Sequence, residues 1–560
     1  LHDHLRSPAD VVGAARSLAV VLALGMTAAP AGACTGGDGD GIPRSGQPGD
    51  ASSDGEPQRG GTLRVGIERP DTYDPSLVSP ASQSELLAAD LLFDGLTAMV
   101  AGAVEASPSL ASAWAPSPDL ITWRFDLSPD RVFANGRAVT AADVKYSLER
   151  VAQRGNASLA AVRLEIVAGY AELSSGASSE LTGVRVVGDH TVEIQTTMPF
   201  AELPELLSSP AYGVVPREAI EAPDASFATR PVGSGPFSWA GPGEGGEGEE
   251  AGAAEVVRLV RAADDSALLE GVDLFVYDDL AASYDAFVDG RVDFSLVPGG
   301  RVAHASERFG TDAFTPFQAE LFYGFNLANP KFADVRFRQA IVQAVDRAGL
   351  VRAVYPGVAE PLVGVVPAGV PGHADDPCGV PCSFDPAGAS ALVGALYPAG
   401  AVPEVQIDYY EGATEEAAAG FIESSLEAVG IPAARRPKPF DAYQQFAVSG
   451  QQELFRLGWL GVYASPGAFV TPLFTSGGPD NVTGFADAGV DALLAAARSA
   501  VSAEDRLTRY AEAERAVMAT VPILPLAQFR TRAVVAERVR DLAISVGGTF
   551  AAELVWLGDD

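Results

Sequence analysis

The 560-residue chain carries 73 acidic against 38 basic side chains, a formal net charge of −35, and is 47% apolar. So acidic a surface repels phosphate backbones, which excludes nucleic acid as a partner. The length exceeds what one hydrophobic core holds, so two or three domains are expected.

In chain order, residues 1–34 end in "AVVLALGMTAAPAGAC" and place Arg6 and Arg16 ahead of an apolar run from Leu18 to Leu24. Small residues then precede Cys34, which is the pattern of an export signal peptide. The run is shorter than the about 20 residues that a membrane-spanning helix requires. Residues 35–59 hold almost no large apolar side chains and read as a flexible tether. Order begins at "GGTLRVGI", where Leu63, Val65 and Ile67 alternate as in a strand.

Further along, Ile121, Trp123, Phe125 and Leu127 alternate with polar residues, the mark of a half-buried strand. Asn135-Gly136 is a turn signal, and Thr140 with Asp143 opens a helix whose Val144 and Leu148 share one face. "TGVRVVGDHTVEIQT" reads as a hairpin about Gly188-Asp189, and residues 241–255 as an acidic low-complexity loop between strands. In "DVRFRQAIVQAVDRAGLV", Asp334 caps a helix along which Phe337, Ile341, Ala344 and Val345 recur at helical spacing. A strand "EVQIDYY", a helix ending at Leu426, Val429 and Gly430, and "IPAARRP" follow. This alternation predicts an α/β domain.

No motif signals catalysis, so the chain is not expected to be an enzyme. Gly243, Gly245 and Gly248 satisfy GxGxxG, but Glu244 and Glu247 beside them would repel a pyrophosphate. After Cys34 only Cys378 and Cys382 remain, in "DDPCGVPCSFDP", where an exported compartment permits a disulfide. His190, His304 and His373 are too few to suggest a metal centre, and no cofactor is expected. The segment "LFRLGWLGVYASPGAF", residues 454–469, sets Trp459, Tyr463 and Phe469 on a Gly- and Pro-broken stretch whose single charge is Arg456. Aromatics there pack a core or face a ligand, and the residues alone leave both open.

Taken together, "GGTLRVGIERPDTYDPSL", "LLFDGLT", "ITWRFDLSPDRVFANGRAVTAADVKYSLERV", "RPVGSGPF", "GRVDFSLVP", "FNLANPKFADVRFRQAIVQAVDR" and "FDPAGASALV" stand in a distinctive order. From about Gly60 to Asp541 the chain resembles the family 5 extracellular solute-binding proteins of ABC importers, the peptide/nickel group. "AGAC" is similar to a bacterial lipobox, with Ala31 where Leu is commonest, which implies a lipid on Cys34. The resemblance implies an α/β, two-lobed periplasmic-binding-protein-like fold of type II, with three domains, a hinge and an interlobe cleft. Domain I would comprise residues 60–96, 212–298 and 526–560, domain II 97–211 and domain III 299–525.

The implied function is that of a monomeric lipoprotein on the outer face of the cytoplasmic membrane. It would capture a small solute and hand it to an ABC permease. A secreted hydrolase, or a sensor or adhesion lipoprotein of the same fold, is the alternative. By resemblance, Trp459 and Tyr463 flank the ligand on the domain III side. Val462 stands where peptide binders of the family usually carry an Asp for the α-amino group, so ordinary peptides lose a partner unless Asp71, Asp74 or Glu85 substitutes. Ser79, Ser82 and Gln83 on the opposite lobe, and Tyr323, complete the expected ligand-binding set. An oligopeptide, a modified peptide, a sugar or a metal chelate all remain open as ligand. Gly233, Gly235 and Pro236 are expected to form a tight turn.

Overall fold

The computed structural model describes residues 56–153, 155–156, 158–222, 226–243, 252–263 and 266–558. The export segment, Cys34, the tether up to residue 55 and most of the acidic loop lie outside them. Among the described residues no helix is long and apolar enough to cross a membrane.

The alternation of Leu63, Val65 and Ile67 becomes the strand Thr62–Glu68, all three side chains buried. It pairs in parallel with Gly271–Tyr277, which lies antiparallel to Glu255–Arg261, and that strand to Phe237–Pro242. On its other side stands Phe294–Leu296. A second group of strands, Ala433–Lys438, Val405–Tyr410 and Leu454–Leu460, lies at the opposite end of the same sheet. Two long strands join the groups. Phe314–Phe325 and Ile523–Val535 run antiparallel, with Phe314 opposite Arg532 and Gly324 opposite Ile523, and the end of the second also pairs with Phe294–Leu296. Their register shifts between Pro316 and Glu320, where Pro316 has no N–H to give to the ladder.

A separate four-stranded sheet holds Ala111–Pro116, Thr122–Leu127, Thr191–Gln195 and Val184–Gly188 in that order. Trp123, Phe125 and Leu127 are buried while the residues between them are not, as period-two alternation demands. The helix Ala141–Ala152 opens with the Asp143 carboxylate accepting the Thr140 N–H at 2.9 Å and buries Val144, Leu148 and Val151. The hairpin turns at Asp189-His190, directly after Gly188.

Three local expectations are corrected. The helix capped by Asp334 runs only over Val335–Ala344, because the Asp346 side chain accepts the Gly349 N–H at 2.9 Å and starts a new helix, Arg347–Val354. Val345 belongs to the break between them. The stretch from residue 454 is not irregular at first. Leu454–Leu460 is a fully buried strand, parallel to Val405–Tyr410 and antiparallel to Phe314–Phe325, and backbone breaks begin only after Leu460. Gly233 and Gly235 are required by close approach, since a Cβ on Gly233 would lie 1.8 Å from the Leu92 carbonyl oxygen and one on Gly235 2.6 Å from the Phe93 nitrogen.

Asp293 ties three separated segments together. Its buried carboxylate accepts from the Arg64 N–H, Nε and Nη2 at 2.9, 3.0 and 2.7 Å, and from Arg538 Nε and Nη2 at 3.0 and 2.8 Å. Burial alone would raise the Asp293 pKa, but the Arg64 and Arg538 hydrogen bonds outweigh it and hold it below the ordinary value. Asp293→Ala is expected to cost about 2–3 kcal/mol in urea unfolding, less than a fully buried pair because both guanidiniums reach solvent. The depressed pKa means this contribution is present above about pH 4 and is lost as pH falls through the folded-state value, so the gap between wild type and Asp293→Ala should close in acid.

Candidate ligand-binding cleft

Where the ribbon loses register, a cavity of about 290 Å³ opens beside it. Gln318, within the shift, donates its N–H to the Val546 carbonyl at 2.9 Å and accepts the Gly461 N–H at 2.9 Å, so one residue fixes both walls. On one side the chain leaves the strand Leu454–Leu460 and presents Val462, Tyr463 and Ala464. Gly461 and Pro466 keep this segment out of regular structure, which turns its side chains off the sheet and towards the gap.

The facing wall has two parts. The helix Gln83–Leu92 is capped by Ser82, whose hydroxyl accepts the Glu85 N–H at 3.3 Å. Leu86 and Asp90, one turn apart, both line the cavity. Past the helix end, Asp94 is paired with Arg131 and accepts from the Ser109 hydroxyl at 3.1 Å. The second part is the loop 543–553. Ser545 N–H donates to the Thr549 carbonyl at 2.8 Å, and Gly548 sits at φ +83°, a left-handed conformation suited to glycine.

The electrostatics of this wall are one-sided. Asp90, Asp94 and Glu553 line it with a single cation, Arg131, which pairs with Asp94. Burial, with the charge of Glu553 adding to it, pushes Asp90 up to about 7, against a lowering hydrogen bond from Thr549. Burial likewise raises Asp94 to about 6, partly offset by Arg131 and Ser109. Asp90 also occupies the last turn of its helix, the negative end of the backbone dipole. Among the described residues no group of three or more His, Cys, Asp or Glu is placed to hold a metal ion.

Of the residues expected from sequence, Val462 and Tyr463 line the cavity and the others do not. Trp459 is buried, its indole N–H donating to the Ala468 carbonyl at 2.7 Å, with the Arg163 guanidinium 5.0 Å from its ring centroid. Its strand is buried along its whole length, and the Arg163 guanidinium lies over the ring. Ser82 is occupied as a helix cap. Gln83 donates to the Thr531 hydroxyl at 2.8 Å and so braces the wall against the ribbon. Ser79 gives its N–H to Glu85 at 2.6 Å and borders a separate surface hollow by Asn156 and Ser158. Tyr323 is wholly enclosed beside Arg456 in the sheet. Two of the substitute acids are engaged too. Asp74 pairs with Arg150 at 2.6 Å, and Glu85 accepts the N–H groups of Asp71 and Ser79. Cys378 and Cys382 are joined by a disulfide whose Cα atoms are 5.6 Å apart, away from the cavity.

Sequence reasoning missed Asp90, Glu553 and the loop 543–553. The signal for Asp90 was a lone carboxylate inside the apolar run "LLAADLLF"; none marked Glu553, some 460 positions away.

The family model for bacterial extracellular solute-binding proteins, family 5, matches residues 105–481. The chain belongs to this family. A relative in Pseudomonas aeruginosa, named a probable di/tripeptide-binding protein, is 25% identical over 519 residues, 88% of this chain and 95% of its own. A relative in Escherichia coli, named a probable deoxycholate-binding periplasmic protein, is 26% identical and covers 81% of this chain and 86% of its own. The solved structure of HbpA2 from Haemophilus parasuis superposes with a TM-score of 0.75 at 21% identity, covering 89% of this chain and 100% of that one. This family 5 protein is therefore a substrate-binding protein of the mixed α/β, two-lobed type, not an enzyme.

Asp90 ionises with difficulty in the fold, so its effect on stability has a definite sign. With the folded-state pKa raised, its contribution is full below the ordinary carboxylate range and is lost as pH rises through about 7. The groups facing it are Glu553, Asp94, Arg131 and Thr549. Asp90→Asn should therefore gain stability relative to wild type at pH 8 and not at pH 5, measured by urea unfolding at both.

Proposed function

We propose that this family 5 protein is the receptor of an ABC importer, capturing a peptide-like solute between its two lobes and delivering it to a membrane permease. The observation that carries this is the position of the cavity: it lies where the two-strand ribbon loses register, walled by Val462–Ala464 on one lobe and by Asp90 and the loop 543–553 on the other. Closure about such a ribbon would trap a ligand and present a changed outer surface to a partner. The relative named for di- and tripeptides supports a peptide-like ligand.

Contacts between residues 97–211 and residues 299–525 fit the same reading. Arg163 Nη2 meets Asp480 Oδ2 at 2.9 Å, and the buried Glu202 accepts from Ser465 and, at 2.7 Å, from the Tyr510 hydroxyl. Residues 60–96, 212–298 and 526–560 would form domain I, 97–211 domain II and 299–525 domain III, and Cys34 would carry the lipid that anchors the exported protein to the outer face of the membrane. Changing Cys34 to Ser is expected to move the protein from the membrane fraction to the medium; retention at the membrane would count against the anchor.

Native against denaturing mass spectrometry of the mature protein, with a thermal-shift screen of short peptides, tests the receptor reading. A released small molecule or a peptide-dependent rise in melting temperature is the expected result, and neither would overturn it. Tyr463→Ala should cut capture about tenfold or more, because Tyr463 lines the cavity edge-on to Phe200 at 6.5 Å. Trp459→Ala, by contrast, should lose about 3–5 kcal/mol of stability as a core truncation.

A further inference from the structure

We infer that Glu202 is the positioning residue of the ligand-facing wall, holding Val462–Ala464 in place through Ser465 from a distant part of the chain. This role rests on the receptor reading above, in which that wall meets a ligand.

Tyr463 and its neighbours have left the sheet ladder at Leu460, so their geometry depends on what grips the two ends of the segment. At one end the Gly461 N–H donates to the Gln318 carbonyl at 2.9 Å. At the other, the Ser465 hydroxyl donates to Glu202 Oε1 and accepts the Gly467 N–H at 3.2 Å, while the Ser465 N–H turns back to the Tyr463 carbonyl at 3.0 Å. The Tyr510 hydroxyl donates to the second carboxylate oxygen of Glu202 at 2.7 Å. Glu202 is 0% exposed and outside the cavity lining, so it acts on the wall only through these partners. Gly467 is required beside it, because a Cβ there would strike both the Glu202 carboxylate and the Tyr510 hydroxyl.

The segment that carries Glu202 is itself fixed from three sides. The Trp123 indole N–H donates to the Phe200 carbonyl at 3.1 Å and the Ala201 N–H to the Arg498 carbonyl at 2.8 Å. The hydroxyl of Thr97, a cavity-lining residue, donates to the Pro204 carbonyl at 2.6 Å. Phe200 sets its ring edge-on to Tyr463 with centroids 6.5 Å apart, so the same segment meets the wall at two places. Arg506 supplies the counter-charge, with Nη2 3.1 Å from Glu205 Oε1 and Nε 3.9 Å from Glu202 Oε1. A buried carboxylate that takes two hydroxyl hydrogens is a strong, directional acceptor, and truncating it leaves both hydroxyls buried without one. Residues 200–205 therefore act as a strap that fixes where the Tyr463 ring stands.

Hydrogen exchange of the full mature chain, read by mass spectrometry without ligand, tests this role directly. Glu202→Ala is expected to speed exchange in peptides covering 461–469 about tenfold or more, the scale of one charge-assisted hydrogen bond, while the strand Leu454–Leu460 keeps its wild-type rate. Glu202→Gln retains an acceptor for Ser465 and should restore a near-wild-type rate in the same peptides. Ser465→Ala removes the link with Glu202 left in place and should reproduce the local change, which keeps the test open if Glu202→Ala fails to fold. Unchanged exchange at 461–469 in the truncated variants overturns the inference, and so does a rise spread evenly over the chain, which would mark a contribution to folding alone. Capture of an equimolar set of di- and tripeptides, read by native mass spectrometry, is the functional arm. Glu202→Ala should lower capture about tenfold, and little further where Tyr463→Ala is already present, because both act through one ring. Losses that multiply in full in the double variant overturn the inference and leave the receptor reading standing. No capture by the wild type counts against the receptor reading alone, since the exchange pattern decides the role of Glu202 without a ligand.

Discussion

The antiparallel pairing of Phe314–Phe325 with Ile523–Val535 is the connection on which the rest of the molecule depends. Every other strand of the main sheet belongs to one side or the other of this ribbon. Its register shifts between Pro316 and Glu320 and again between Leu321 and Phe322, and the first of these interruptions leaves the Gln318 backbone free to bond Val546 on one wall and Gly461 on the other. The binding cavity is thus a consequence of a fault in a ladder. A ribbon irregular at Pro316–Glu320 can flex there while buried pairs further along, such as Phe325 with Leu454, keep each half rigid.

Charge is distributed according to the same division. Several buried acids are paired, Asp293 with Arg64 and Arg538, Asp74 with Arg150, Asp408 with Arg436, while Glu320 in the ribbon is not. Such pairs offset the desolvation of both partners and hold separated segments together. On the cavity wall Asp90, Asp94 and Glu553 stand with the single cation Arg131, which pairs with Asp94. A chain with 35 more acids than bases places most of its excess in solvent, where screening makes it cheap, so an excess left in a half-buried wall is a different matter.

Much of the local structure was legible. The Trp123, Phe125, Leu127 alternation, the Thr140 and Asp143 start of a helix and the Asp334 cap depend on neighbours within a few positions, and each appears in the fold. Val462 and Tyr463 were legible as well, through a segment whose glycines and proline keep it off the sheet. Trp459 lies outside the cavity lining because burial is set by what packs onto the strand, here Arg163 and the Ala468 carbonyl, and no spacing within residues 454–469 encodes the first of these.

The sequence by itself determined the α/β alternation, the acidic surface, the family and the strand-to-loop passage that carries Tyr463, since periodicity, composition and motif order are properties of neighbouring residues. Only the tertiary structure decided which side chains meet in the cleft. Asp90 and Glu553 are 463 positions apart and come together because the C-terminal loop, bonded at Val546 to Gln318 and braced by Gln83 against Thr531, folds back beside a helix near the start of the ordered chain. The field between two such groups depends on their separation in space, and that distance is fixed by the packing of elements between them, not by any local pattern.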